Sequence, residues 1–196
     1  MFYTNFTKLF LDRFVAAGGI IFLSPILLLI SIINFAYYGN VFFIQERSGK
    51  GLQSFKLLKF QTMKEDSSAF ISDIERTTSY GKLLRITSLD ELPQLFLVLI
   101  GRMSLIGPRP LLVEYNQYYS EPQLKRFTVK PGITGWAQVN GRNKITWERR
   151  FELDIYYVEN VSIRLDMRIL VKTFFQLLKY SEIHASENQT MKPFKK

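Results

Sequence analysis

The chain contains no cysteine and a single histidine, His184. No disulfide framework is available, which fits a reducing compartment. One histidine leaves no basis for a histidine-cluster metal site or a Ser-His-Asp triad. No P-loop or dinucleotide fingerprint occurs, and there is no internal repeat or low-complexity tract. Charge is missing altogether from Phe14 to Gln45, and acid is short overall, with 17 Asp and Glu against 26 Lys and Arg for a net charge of +9. That excess of base points to an anionic partner: nucleic acid, anionic lipid or a phosphorylated substrate. Beside an oily segment, a membrane surface or a phosphate substrate is favoured over nucleic acid.

The uncharged run is long enough to be read as a membrane segment. A cleaved signal peptide would need an apolar core of about 7–15 residues followed by small residues. Here the small residues, Ala16 to Gly19, stand at the start of the run, so the segment is expected to be retained. Ser24-Pro25 interrupts it. Proline lacks an N–H and clashes with the carbonyl four residues back, that of Ile21, while the Ser24 hydroxyl can satisfy a freed carbonyl where water is scarce. From Phe14 to Ser24 a helix rises about 16 Å, roughly half of a hydrocarbon core of about 30 Å. Lys8 and Arg13 precede the run, and Arg47, Lys50, Lys56 and Lys59 follow it. Positive flanks mark the cytoplasmic side. Two basic flanks favour a helix-break-helix that enters, bends at Ser24-Pro25 and leaves by the same face. A kinked helix that crosses fully is the rival.

The remainder reads as one small mixed α/β (α+β) domain. Residues 1–45 form the membrane segment, 46–185 the catalytic domain and 186–196 a polar, disordered tail. Short strands are expected at Val41–Ile44 and Phe55–Phe60 around a turn at Ser48–Gly51. Residues 64–80 read as a loop or exposed helix. A helix is expected from Leu89 to Ile100, another at Leu111–Tyr119, and a strand from Ile133 to Val139 ending in an Asn140-Gly141 turn. Met167, Leu170, Val171, Phe174, Phe175 and Leu178 recur at helical spacing, an amphipathic helix that either packs on the core or lies in the membrane interface.

Three segments could carry chemistry. In Arg85–Leu95, Ser88 and Glu91 have capping-box spacing; alternatively Asp90 is the cap, with Pro93 in the first turn. Either way Asp90 sits at a helix N-terminus, which favours its ionised form, as a nucleophile or metal ligand requires. Plain capping explains the same spacing. In Gly107-Pro108-Arg109-Pro110 the prolines restrict the backbone of Arg109, presenting a planar fork suited to phosphate oxygens; a rigid surface loop is the simpler alternative. In Lys130–Asn143, Gly132, Gly135 and Gly141 permit close backbone approach among polar groups, although a hairpin with Trp136 in the core accounts for most of it.

Taken in order, these segments resemble the bacterial sugar transferases, the monotopic phosphoglycosyl transferases. The resemblance runs from about Lys8 to Thr173. It is carried by Ser24-Pro25, Phe43-x-Gln45-x-Arg47-x-Gly49, Lys59-Phe60-Gln61-Thr62-Met63, Thr87–Gln94, Gly107–Pro110, Pro131–Gln138 and Asp154–Tyr157. It implies transfer of a sugar 1-phosphate from a UDP-sugar to undecaprenyl phosphate, with UMP released, at the cytoplasmic face of a bacterial inner membrane. It implies Asp90 as nucleophile, Glu91 as its partner, and Mg2+ held near both. Lys59, Arg85, Arg109, Gln138, Asn140, Arg142 and Asp166 become the candidate substrate contacts. The implied partners are the UDP-sugar, the polyprenyl phosphate and membrane lipids; nucleic acid is not expected, and a homo-oligomer is left open. Gln61 departs from the pattern, standing where the family usually has arginine, so that one phosphate contact is either missing or supplied elsewhere, with Lys64 and Arg85 as the candidates.

Overall fold

The computed structural model describes residues 3–64, 76–141, 145–183 and 194. A π-helical turn, Tyr3–Thr7, leads into α1 (Lys8–Tyr38), which closes at Gly39 with a left-handed φ of 74°. Helix α1 is long and apolar enough to cross a membrane by length and composition. It runs unbroken through Pro25, which corrects the expected break at Ser24-Pro25. The local chemistry is the expected one: Ser24 Oγ donates to the Ile21 carbonyl at 2.8 Å, the group that Pro25 deprives of a partner.

One stripe of α1 is packed: Asp12, Ala16, Gly19, Leu23, Leu27, Ile30 and Asn34. Ala16 joins Leu57, Val98 and Met103, while Leu27 and Ile30 join Phe60 and Leu84, with Leu23 against them. A side-chain carbon on Gly19 would lie 3.4 Å from Leu95 Cδ1. Both ends of the stripe are polar and bonded. Asp12 accepts from Ser104 Oγ at 2.6 Å, and Asn34 donates to the carbonyls of Val41 and Gln61 at 2.9 and 3.0 Å. Helix α1 therefore lies along the domain for about 33 Å. Its other face, including Phe10, Phe14, Ile21, Phe22, Leu28, Leu29 and Phe35, is exposed.

Strands β1 (Phe42–Ser48) and β2 (Ser54–Phe60) form the expected hairpin, antiparallel with Phe42 opposite Phe60. Helix α2 (Ser79–Ile86) is capped by Thr78, whose hydroxyl accepts from Gly81 N at 2.9 Å. Where one helix from Leu89 was expected, a 3-10 turn, Leu89–Glu91, precedes a shorter α3 (Gln94–Leu99). Strand β3 (Ser104–Ile106) pairs in parallel with β4 (Gly132–Thr134). Between them lie a 3-10 segment (Val113–Tyr118, expected as an α-helix), α4 (Glu121–Leu124) and the turn Lys125–Thr128. After β4 come α5 (Trp136–Val139), α6 (Trp147–Glu159) and α7 (Ile163–Ile183). The mixed α+β class is as expected from the sequence.

The Ile133–Val139 strand is corrected to three residues of β4 followed by α5. Glycines allow this by bringing backbones together. A side-chain carbon on Gly132 would fall 2.0 Å from Gly107 N, and one on Gly135 would fall 2.1 Å from Gly107 O. Since backbone on both sides has nowhere to move, Gly132→Ala is expected to cost about 3 kcal/mol, read as a fall of roughly 6–12 °C in the thermal midpoint.

Helix α7 meets the core with a face other than its apolar stripe. Leu165 and Ile169 are buried, Thr173 Oγ1 bonds Thr134 Oγ1 at 2.8 Å, and Gln176 donates to the Val139 carbonyl at 2.8 Å. Met167, Leu170, Val171, Phe174 and Phe175 are exposed. The expected disordered tail is corrected at Phe194, which is buried with Leu111 and Phe151. The rest of that tail, the stretch 65–75 and Arg142 lie outside the described residues.

Candidate active site

Asp90 and Glu91 occupy the 3-10 turn because Ser88, with a left-handed φ of 56°, reverses the chain after α2. No capping box forms at Ser88, so the helix N-terminus expected beside Asp90 is replaced by a buried turn. Asp90 is 7% exposed. Lys59 reaches across from β2, its Nζ 2.6 Å from Glu91 Oε1 and 3.9 Å from Asp90 Oδ2. Arg109 Nη2 donates to the same Glu91 oxygen at 2.8 Å. Burial pushes the Asp90 carboxyl above the usual carboxylate range, Lys59 opposes that shift and Glu91 adds to it. Burial also acts to raise Glu91, but Arg109 and Lys59 prevail and hold it at about 2. The turn thus carries one firmly ionised carboxylate that organises two cations, and beside it one desolvated carboxylate with no hydrogen-bond donor of its own among those described.

These groups line a cavity of about 920 Å³, whose walls carry Arg47, Lys59, Arg76, Arg85, Arg109 and Arg150 against the two carboxylates. Burial, then the charge of Arg109, depresses Arg47 and Arg150 to about 10 each. The guanidiniums repel one another across a space short of anions, which a phosphate would relieve. Gln138 also lines the cavity, and both polar atoms of its amide are buried without a partner among the described residues. A buried amide in that state is costly and offers a ligand one donor and one acceptor. Exposed Phe42, Phe43 and Ile44 on β1 and Leu177 on α7 give the cavity an apolar edge, alongside exposed Arg85 and Thr87.

Of the residues expected from sequence, Lys59, Arg85, Asp90, Glu91, Arg109 and Gln138 converge here. Asn140 does not: its Oδ1 accepts from Lys172 Nζ at 2.7 Å and its amide donates to the Trp136 carbonyl, which ties α5 to α7. Asp166 is also elsewhere, buried and accepting from Tyr3, Lys8 and Tyr157 at 2.6, 2.7 and 2.8 Å. It fastens the chain ahead of α1 to α7. Gln61 turns its amide to the Met63 carbonyl at 2.8 Å, whereas Arg85 lines the cavity with its Nε on Thr62 Oγ1 at 3.0 Å. Lys64 is not part of the wall.

Sequence reasoning gave no site role to Arg47, Arg150, Arg126 or Asp154, although Arg47 and Asp154 stand in segments that carry the family resemblance. Arg126 Nη2 donates to the Arg109 carbonyl at 2.7 Å and to Asp154 Oδ2 at 2.9 Å, with both side chains of the pair 2% exposed. This buried pair fixes the Pro-Arg-Pro loop from behind. The available signal was on α6, where Arg150 and Asp154 fall on the same stripe as Trp147, Phe151 and Tyr157; charge on a buried face demands a partner.

With this geometry in view, the comparisons are consistent. Residues 3–180 match the family described as bacterial sugar transferase, and the chain belongs to that family. It is 45% identical over 172 residues, 86% of this chain and 85% of the other, to an uncharacterized sugar transferase, EpsL, of Bacillus subtilis. It is 39% identical over 182 residues to the UDP-glucose:undecaprenyl-phosphate glucose-1-phosphate transferase of Xanthomonas campestris, and 42% identical over 180 residues to that of Klebsiella pneumoniae. The matches cover 85% and 84% of this chain but 38% of each of those two proteins.

Proposed function

We propose that the protein moves a sugar 1-phosphate from a UDP-sugar to undecaprenyl phosphate through a phosphosugar carried on Asp90. The observation that carries this reading is the desolvated Asp90 carboxylate set in a basic cavity edged by exposed apolar residues of β1. An Asp90 oxygen attacks the phosphorus bearing the sugar, the bond to the bridging oxygen breaks, and UMP leaves with the electron pair. A phosphate oxygen of the lipid then attacks the same phosphorus and displaces the carboxylate. Covalent catalysis splits one hard displacement into two, and positioning with charge neutralisation does most of the work in phosphoryl transfer. Lys59, Arg109 and Arg150 supply fixed positive charge, while Gln138 orients the donor. Two adjacent carboxylates suit a magnesium ion that keeps waters and takes substrate oxygens. Asp90 and Glu91 would hold it, and bound there it adds charge neutralisation; among the described residues no cluster of three or more metal-binding side chains accompanies them.

The packing of α1 supports a monotopic arrangement, and the basic residues on both flanks of its apolar run favour the cytoplasmic face. A crossing helix packed for about 33 Å against the domain would draw β2 and its Lys56 and Lys59 into a hydrocarbon core of about 30 Å. Lying along the interface, α1 instead exposes Phe14, Phe22 and Phe35 to lipid, with the apolar stripe of α7 as a second contact. The absence of native cysteine makes labelling clean: single cysteines at positions 5 and 50 are both expected to react only after the cytoplasmic face is opened. Reaction of one from outside would contradict this topology.

The reaction is tested by UMP release from a panel of UDP-sugars, UDP-glucose included, with undecaprenyl phosphate and magnesium. Release is expected with at least one donor; none from any would refute the reading. Because the nucleophile must be ionised and Asp90 is shifted up, activity is expected to fall on acidification at a pH above the ordinary aspartate value of about 3.9. Lys59→Met moves that limb to higher pH, and Glu91→Gln moves it lower.

A further inference from the structure

Phe194 is 7% exposed. Its ring centroid lies 5.1 Å from Phe151, 5.3 Å from Trp147, 5.6 Å from Tyr119, 5.7 Å from Tyr115 and 6.2 Å from Tyr118. Nothing in the proposed reaction uses this aromatic seat, yet the rings that form it also carry Arg150 in the cavity wall and Arg126 behind it. The Arg150 guanidinium sits 5.2 Å from the Trp147 centroid. That of Arg126 sits 5.7 Å from Phe151 and 5.9 Å from Tyr119, and Arg126 in turn holds the Arg109 carbonyl.

We infer that Phe194 is a positioning residue for the donor site: seated among these rings, it fixes the surfaces on which Arg150 and Arg126 rest, and so sets Arg150 in the cavity wall and, through the hydrogen bond from Arg126 to its carbonyl, Arg109. The inference rests on the cavity being the donor site. The seat survives without its occupant, because Tyr119 meets Phe151 directly at 5.6 Å and Tyr115 meets Trp147 at 5.8 Å. Loss of Phe194 therefore frees the rings to shift rather than unfolding α6. An arginine over a mobile ring loses part of its cation–π attraction and its restricted geometry. By linkage, an anion bound to the arginines strengthens the seating of Phe194 by the same factor.

The test uses the full chain in phospholipid nanodiscs, with UDP as the probe. Phe194→Ala is expected to weaken UDP binding about tenfold, the worth of one cation–π contact. The kcat/KM for the UDP-sugar falls in step, the KM for the lipid holds, and the thermal midpoint stays near wild type. Phe194→Tyr restores binding, as does a free peptide spanning residues 187–196 added to the alanine variant; the same peptide with alanine at 194 does not. In a Trp136→Phe background Trp147 is the sole tryptophan, and its emission is expected to shift on UDP binding with Phe194 present and not in Phe194→Ala. Equal UDP binding by wild type and Phe194→Ala overturns the inference, as does a loss of binding that tracks lowered thermal stability and is not restored by tyrosine. Absence of UDP binding in the wild type itself would overturn the donor-site reading beneath it.

Discussion

Asp90→Asn is expected to abolish sugar-phosphate transfer, by roughly four orders of magnitude or more, with the fold unchanged. The carboxamide fills the same volume in a site that is only 7% exposed but cannot attack phosphorus. Thermal stability should hold or rise slightly, because burial already disfavours the charge at this position. Residual activity must be checked against deamidation by mass spectrometry. A variant that keeps full activity with asparagine intact would remove Asp90 from the chemistry.

The second large effect is expected at Glu91. One of its oxygens receives both Lys59 and Arg109, at 2.6 and 2.8 Å. Glu91→Gln leaves those cations without their shared anion and lets Arg109 swing away from the phosphates. The pairs are part-buried, with Arg109 38% exposed, so solvent screens them and the cost stays below the roughly 3–5 kcal/mol of a fully buried pair; the loss in kcat/KM is expected to be about 10²-fold. Arg109→Ala alone should cost a similar amount. The double variant should be little worse than either single one, since the two residues act through one interaction. Additive losses would mean that Glu91 and Arg109 serve separate purposes.

How much of this could be read beforehand depended on whether a signal was local. The β1–β2 hairpin was legible because two short runs rich in apolar residues, Val41–Ile44 and Phe55–Phe60, flank a turn with two glycines. The length and greasiness of α1 were plain, but its packed stripe was not: within a uniformly apolar run, Ala16 and Gly19 do not announce that they face the domain while Phe14 and Phe22 do not. Asp12 and Asn34, which bracket the stripe, gain meaning only from Ser104 and Gln61, far away in sequence. Trp136 looked like a strand residue because Gly135 hides the turn that starts α5. Asp90 and Glu91 stood out as an adjacent acidic pair, yet the electrostatics differed from the helix-end expectation because desolvation, not a helix dipole, dominates at Asp90. Asn140 and Asp166 were expected as substrate contacts only from the family resemblance; Lys172 pairs with the first, and Lys8, Tyr3 and Tyr157 with the second, away from the cavity. Arg85 and Arg109 were expected, but the rest of the arginine wall was the least visible feature, since Arg47 and Arg150 come from β1 and α6 and meet them only in the folded chain.

The central claim is most directly tested by incubating the protein with a UDP-sugar labelled in the phosphate that bears the sugar, with magnesium and no lipid acceptor, then quenching and mapping the label by mass spectrometry. One phosphosugar on the peptide containing Asp90, discharged when undecaprenyl phosphate is added, is the expected result. UMP formed only when donor and lipid are present together, with no label ever on the protein, would contradict it.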